Sequence, residues 1–327
     1  MGNPFAFGHD EFDSSNRFVT SWFLPPWVLF ACRLLFVCFP FSLLPDEDDN
    51  GSMNDAMGKM IDGPGSISFN LTKQKRNCGT NKTPSLNKQG LYALTTQFVS
   101  IGTQVALGQS ADATAEFSYF TVLTYWGIAF YLLVSAVHTA TYAATGRPLL
   151  ARFPRSLQAL HSLYYTTVSV YPFIVTIVYW GVLYVGPWFN TTFSAWSNVS
   201  RHAMNSGFAL FEILVARTDL PPWIHLFWLI IILCLYLALA YVTHATKGFY
   251  VYPFLDPAGG AGKLAAYICG IAVGCIVIFL LVLGLIWLRK WVTERKLGMR
   301  GKLSSRDRPA SSTISDPETA QHGKYDR

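Results

Sequence analysis

Apolar residues come in blocks of helical length, separated by shorter polar links. Blocks long enough to cross about 30 Å of hydrocarbon, at about 1.5 Å per helical residue, fall at 22–44, 117–138, 160–186, 223–245 and 264–288. A shorter block, 202–217, carries His202, Asn205 and Glu212. The pattern predicts an all-α fold, an integral membrane bundle of about six transmembrane helices. The chain divides into an N-terminal segment 1–21, a first crossing 22–44, a connection 45–116, a five-helix membrane core 117–288 and a basic tail 289–327 rich in Ser, Pro and charge, which predicts disorder.

Residues 45–90 break the pattern, being rich in Asn, Gly, Lys, Asp and Ser without either periodicity, before the chain turns apolar again at 91–107. Joining Leu24–Phe36 directly to Leu94–Val99 would give one continuous crossing. The segment therefore reads as an insertion into a first helix; a long outer loop is the plainer alternative.

Composition agrees with a membrane protein: 51% of the 327 residues are hydrophobic and only 13% charged, against roughly 25% charged in an ordinary soluble domain. Charge placement sets the expected orientation. The link near 145–157 holds Arg147, Arg152 and Arg155 and no acid, and 289–308 holds eight bases against Glu294 and Asp307, a surplus equal to the whole chain's +6. Both belong on the cytoplasmic side, which puts both termini there and 45–116, 187–201 and 246–263 outside. The sequons at Asn70, Asn81, Asn190 and Asn198 all fall in those outer segments, as a glycoprotein of the endoplasmic reticulum or plasma membrane requires. The basic surplus sits beside a membrane exit, where it meets anionic lipid, so nucleic acid is not a partner. The first twenty residues lack a basic n-region and no cleavage site follows, so 22–44 reads as a retained anchor.

Cys32, Cys38, Cys234, Cys269 and Cys275 lie in apolar blocks without paired spacing, which argues for packing and against a metal site or a disulfide framework. Gly270 and Gly274 form a small-xxx-small pair, read as close packing within the chain, with a homo-oligomer through the same face as the alternative.

Polar groups at membrane depth are the candidate chemistry. Thr124 falls about 10 Å below the outer edge, with Thr121 one turn above it. His202, Asn205, His244 and the run Gly248–Asp256 belong to the same layer. A hydroxyl nucleophile, an imidazole base and an amide donor suit acyl transfer on a lipid ester, and Thr124, His202 and Asn205 supply these as catalytic candidates. The plainer readings are a Thr bonded to its own preceding turn and a His reaching for water. Glu212 lies about 15 Å deeper than His202; it reads as a proton relay, a partner for a buried cation such as Arg33, or a neutral hydrogen-bonded acid. His202 with His244 and His161 with His225 also have the layout of two axial pairs for b-type haem.

At these residues the chain resembles a family of six-helix membrane proteins, the androgen-induced protein and androgen-dependent tissue-factor-pathway-inhibitor-regulating protein group, and looks related to Rolling-stone-like membrane proteins. The resemblance covers about 117–288 and rests on Leu123-Thr124-Tyr125-Trp126, on His202-Ala203-Met204 leading to Arg217-Thr218, and on Gly248 with Val251–Asp256. It implies a threonine hydrolase of fatty-acid esters of hydroxy fatty acids, with a His base and neither metal nor cofactor. Thr124 matches the nucleophile, with Thr121 as the fallback. In the hydrolases the fourth helix reads His-x-Met-His and its second His is the base; here Asn205 stands at that position, and Asn cannot take a proton as a base. Either His202 has taken over or the fold serves a non-catalytic membrane or cell-fusion role, as the Asn form in the Rolling-stone-like branch implies.

Overall fold

The computed structural model describes residues 13, 16–35, 96–103 and 115–299. Segment 45–90, Asn70, Asn81, Cys38, Cys78 and the tail beyond residue 299 lie outside them. The described residues form helices: α1 (Pro26–Leu35), α2 (residues 96–103), α3 (Phe120–Thr145) and α4 (Arg155–Val178), the last running on through a π-helical turn at Tyr179–Leu183. Next come α5 (Thr192–Val199) and α6 (Asn205–Val215), fused into one rod by a π-helical turn at Ser200–Met204. The last two are α7 (Ile224–Lys247) and α8 (Ala261–Lys290), α8 extended by a π-helical turn at Trp291–Lys296. The single β contact among the described residues is a bridge between Ser21 and Ala216.

The fold is thus an all-α membrane bundle. Among the described residues four helices, α3, α4, α7 and α8, are each long and apolar enough to cross a membrane. The expected crossing at 202–217 is the second half of the longer rod from Thr192 to Val215, whose polar residues lower its apolarity. Of the first crossing residues 22–35 are described, and α1 is its helical part. It lies along α3, reaching Thr139, while α2 meets the same helix nearer its start, where Phe98 packs edge-on against Trp126 with ring centroids 5.3 Å apart. α3 is central, 56% of its most apolar window being buried, against 17% for the peripheral α7.

Short links make consecutive helices antiparallel, so the bundle has two contrasting ends. Gly146 (φ 72°) and Gly248 (φ 77°) close α3 and α7 with backbone bonds to Tyr142 and His244; a left-handed C-cap is a position that favours glycine. At the basic end the last carbonyls of α6 would be orphaned. Trp22 Nε1 donates to Leu214 O at 2.7 Å, Ser21 Oγ to Val215 O at 2.7 Å, and Arg289 to Ile213 O at 2.7 Å and to Ala216 O. Arg17 grips Glu294 through both carboxylate oxygens, at 2.7 and 3.0 Å. Segment 16–22 and the end of α8 therefore share one end of the molecule.

Deeper, Arg33 and Glu212 are both fully buried and form a bidentate pair, Nε to Oε1 and Nη2 to Oε2, each at 2.8 Å. Arg33 Nη1 also donates to Phe18 O at 2.9 Å and to Thr139 Oγ1 at 2.6 Å. Of the readings open for Glu212, the structure selects the partner of a buried cation. The glycine stripe differs from expectation among the described residues: α8 buries Cys275, Ile278, Phe279, Val282 and Ile286, and a Cβ built on Gly270 or Gly274 would meet none of the described residues within 4 Å. The stripe lines a groove between α4 and α8 instead of a close helix contact.

Removing one member of the buried pair strands the other charge, so Arg33→Ala or Glu212→Ala should each destabilise the bundle by about 3–5 kcal/mol. The double change Arg33→Met with Glu212→Leu should recover most of that loss. Thermal unfolding of the detergent-purified variants checks this; single variants that melt with the parent would contradict it.

Candidate functional site at the aromatic end

The start of α3 positions the site. Tyr119 supplies no side-chain cap, and the free N–H of Phe120 is met by two phenols, Tyr236 of α7 at 3.0 Å and Tyr252 at 3.1 Å. Tyr236 in turn donates to Ser118 O at 2.9 Å. These bonds draw α7 and the Gly248–Asp256 run onto α3, beside Thr121. Within that run Tyr252 and Phe254 stack at 5.2 Å, whereas Asp256 accepts from Ala258 N at 2.8 Å and has a turn-forming role.

Two π-helical turns, of a kind that often marks functional positions, meet across α4 and the α5–α6 rod. The Tyr179 ring lies flat on His202, centroids 3.5 Å apart and planes 11° apart, and its hydroxyl donates to Asn198 Oδ1 at 2.8 Å. His202 Nδ1 is 2.9 Å from Asn198 O. A carbonyl only accepts, so Nδ1 carries the proton and the neutral ring keeps its lone pair at Nε2, the tautomer a general base requires. Next to it Arg201 pairs with Glu116, Nη1 to Oε1 at 3.0 Å and Nη2 to Oε2 at 3.3 Å.

His202, Arg201, Glu116, Thr121, Tyr179 and Tyr252 line a cavity of about 520 Å3 that forms a polar mouth. Thr121, Tyr179, Leu183 and Tyr252 are shared with a narrower apolar chamber of about 120 Å3. Ile174, Val178, Phe254 and Ile271 are shared in turn between this chamber and the groove of about 500 Å3 between α4 and α8. Gly270 and Gly274 line that groove, and their missing side chains leave it wide. Mouth, chamber and groove therefore adjoin through shared wall residues, and their linings change from polar to apolar in that order.

The three residues named from the sequence do not converge on one point. Thr124 Oγ1 donates to Thr121 O at 3.0 Å, the local bond expected of a Thr in a helix, and Asn205 Nδ2 reaches it at 3.5 Å. The positions that the resemblance assigns to nucleophile and base are thus neighbours, while His202 faces the mouth with Thr121. Thr124 instead borders an apolar pocket between α3, α4 and α7. Asn205 is fully buried, and its Oδ1 has no hydrogen-bond partner among the described residues.

His161 packs against His138 (5.3 Å) and Tyr131 (5.7 Å), His225 Nδ1 lies 2.7 Å from Thr166 Oγ1, and His244 stacks on Tyr250 at 3.8 Å. Among the described residues no group of three or more His, Cys, Asp or Glu side chains could hold a metal ion. Of the described sequons, Asn190 is exposed in a link, whereas Asn198 lies inside α5 with Nδ2 bonded to Ser194 O and Oδ1 to Tyr179. Sequence reasoning missed Glu116, Arg201 and Tyr179; the signal was a lone acid at the start of one helix and a lone base beside His202 at the same end. No protein-family model, curated protein or solved structure matches the chain.

A buried amide oxygen without a partner costs about 1–3 kcal/mol. Asn205→Leu should therefore raise the stability of the purified protein, seen as a higher melting temperature. A marked fall would mean that the amide is fully satisfied and structural.

Proposed function

We propose that this chain is an integral-membrane hydrolase of long-chain lipid esters. The observation that carries the reading is His202, locked by Asn198 in the tautomer that leaves Nε2 free, on a polar mouth that narrows through Thr121 into an apolar chamber. An amphiphile fits such a gradient, with its chain in the chamber and groove and its polar part beside Arg201 and Glu116. The groove opens sideways between α4 and α8, so the substrate arrives from the bilayer.

Thr121 is the nucleophile in this reading. Its Oγ attacks the ester carbonyl while His202 Nε2 takes the hydroxyl proton, then returns that proton to the departing alcohol oxygen. Water, deprotonated by the same nitrogen, releases the fatty acid and regenerates the hydroxyl. The mouth faces the lumen or the exterior and the basic end the cytoplasm, an orientation favoured by the Lys and Arg bias and by exposed Asn190 as a glycan acceptor. The endoplasmic reticulum and the plasma membrane both suit it.

A second reading, a non-catalytic membrane organiser, is favoured by one contact. Thr124 meets Asn205, which cannot act as its base. Hydrolysis of a panel of fatty-acid esters by the purified protein separates the two. The hydrolase reading expects His202→Ala to lower the rate by about a hundredfold or more, Thr121→Ala to abolish it, and Thr124→Ala to leave most of it. No parental activity, with activity gained by Asn205→His, would favour the silent scaffold. Inactivity of every folded variant would favour the organiser.

A further inference from the structure

The basic end carries a second built site. Segment 16–22, the link after α6 and the last turns of α8 wall a cleft of about 600 Å3, lined by Arg17, Arg217, Lys290, Arg295, Glu294 and the indoles of Trp287 and Trp291. Its acids are already committed: Glu294 is held by Arg17, and neighbouring Asp219 contacts Arg17 at 3.5 Å and also Lys290. Arg217 and Arg295 form no direct ion pair among the described residues, although Glu294 and Asp13 lie close enough to attract Arg217.

Arg217 is the informative member. It is only 6% exposed, Nε has no hydrogen-bond partner among the described residues, and its one side-chain bond is a long contact of 3.5 Å from Nη1 to Thr20 Oγ1. A guanidinium keeps its proton in a protein, so a buried one with an unused N–H at a cleft suits an oxyanion. The tryptophans indicate what carries that anion. Trp287 and Trp291 stack at 6.5 Å and stay 57% and 36% exposed, and Lys296 Nζ lies 5.0 Å over the Trp291 ring. Indoles beside lysines and arginines at the end of a crossing form the interfacial belt that meets lipid headgroups.

We propose that this cleft binds the phosphate of an anionic membrane phospholipid. The headgroup bonds Arg217 and Arg295, and the glycerol and first acyl carbons lie along Trp287 and Leu220 on the cleft wall. Inorganic phosphate shares the oxyanion but gains nothing from the indoles or the apolar flank. The site lies at the opposite end of the bundle from the mouth and stands independently of any hydrolysis there.

The test uses the full chain, delipidated in neutral detergent, with native mass spectrometry to count retained lipid. Phosphatidylserine, phosphatidylcholine and inorganic phosphate are added in turn. One saturable phosphatidylserine is expected and no comparable phosphatidylcholine. Arg295→Gln, an exposed change that leaves the fold intact, should weaken retention about fivefold, and Arg217→Gln about tenfold or more. Equal retention of phosphatidylcholine, or unchanged affinity in Arg295→Gln, would overturn the proposal, the latter even if Arg217→Gln fails to fold. Displacement of the lipid by equimolar inorganic phosphate would reassign the cleft to a free anion and overturn it too.

Discussion

One guanidinium ties together elements far apart in the sequence. Arg33 of α1 holds Glu212 of α6, the Thr139 hydroxyl of α3 and the Phe18 carbonyl of the turn before α1, all within 2.9 Å. Neither charge has solvent to fall back on, so the bundle tolerates the pair only while both members keep their partners. Sliding α6 against α1 by one helical turn would move Glu212 about 5.4 Å and break both bonds. The pair therefore fixes the register of the helix that carries His202 and Asn205, and it draws segment 16–22 onto the basic end.

From that anchored centre the two ends diverge in chemistry for physical reasons. At the basic end, segment 16–22 meets the last turns of α8, and the unsatisfied carbonyls that end α6 are met by Arg289, Ser21 and Trp22. Arg289 serves there as a cation on the carbonyl end of α6. At the aromatic end, α3 begins without a capping side chain and phenols take that role. Phenols bond at one edge and remain apolar elsewhere, so the capping of α3 and the walls of the chamber come from the same residues, Tyr236 and Tyr252.

Much of the architecture was legible because apolar runs of helical length have few alternatives, and Arg33 could be named for Glu212 because a carboxylate at mid-bilayer needs a cation. The geometry of the candidate site was legible only in part. Thr124 and Asn205 are neighbours, as the motif pattern suggested, but helical depth alone could not say which way His202 faces. That depends on the π-helical turn at Ser200–Met204, which rotates the rod and for which no local sequence rule exists. The Glu116–Arg201 pair joins residues distant in sequence whose meeting depends on how α3 and the α5–α6 rod pack. Gly270 and Gly274 line a groove among the described residues, which was not legible because spacing shows where small residues recur but not what lies opposite them.

The central claim, that a lipid chain threads from the mouth through the chamber to the groove, is tested most directly by photoaffinity labelling. A long-chain ester with a photoreactive group near the far end of its chain would be crosslinked to the protein in bilayers and the adducts mapped by mass spectrometry. The account predicts adducts concentrated on groove and chamber residues such as Ile177, Val178, Phe254 and Ile271, and competed away by unlabelled ester. Adducts spread over the outward faces of α7 and α8, insensitive to competition, would contradict it.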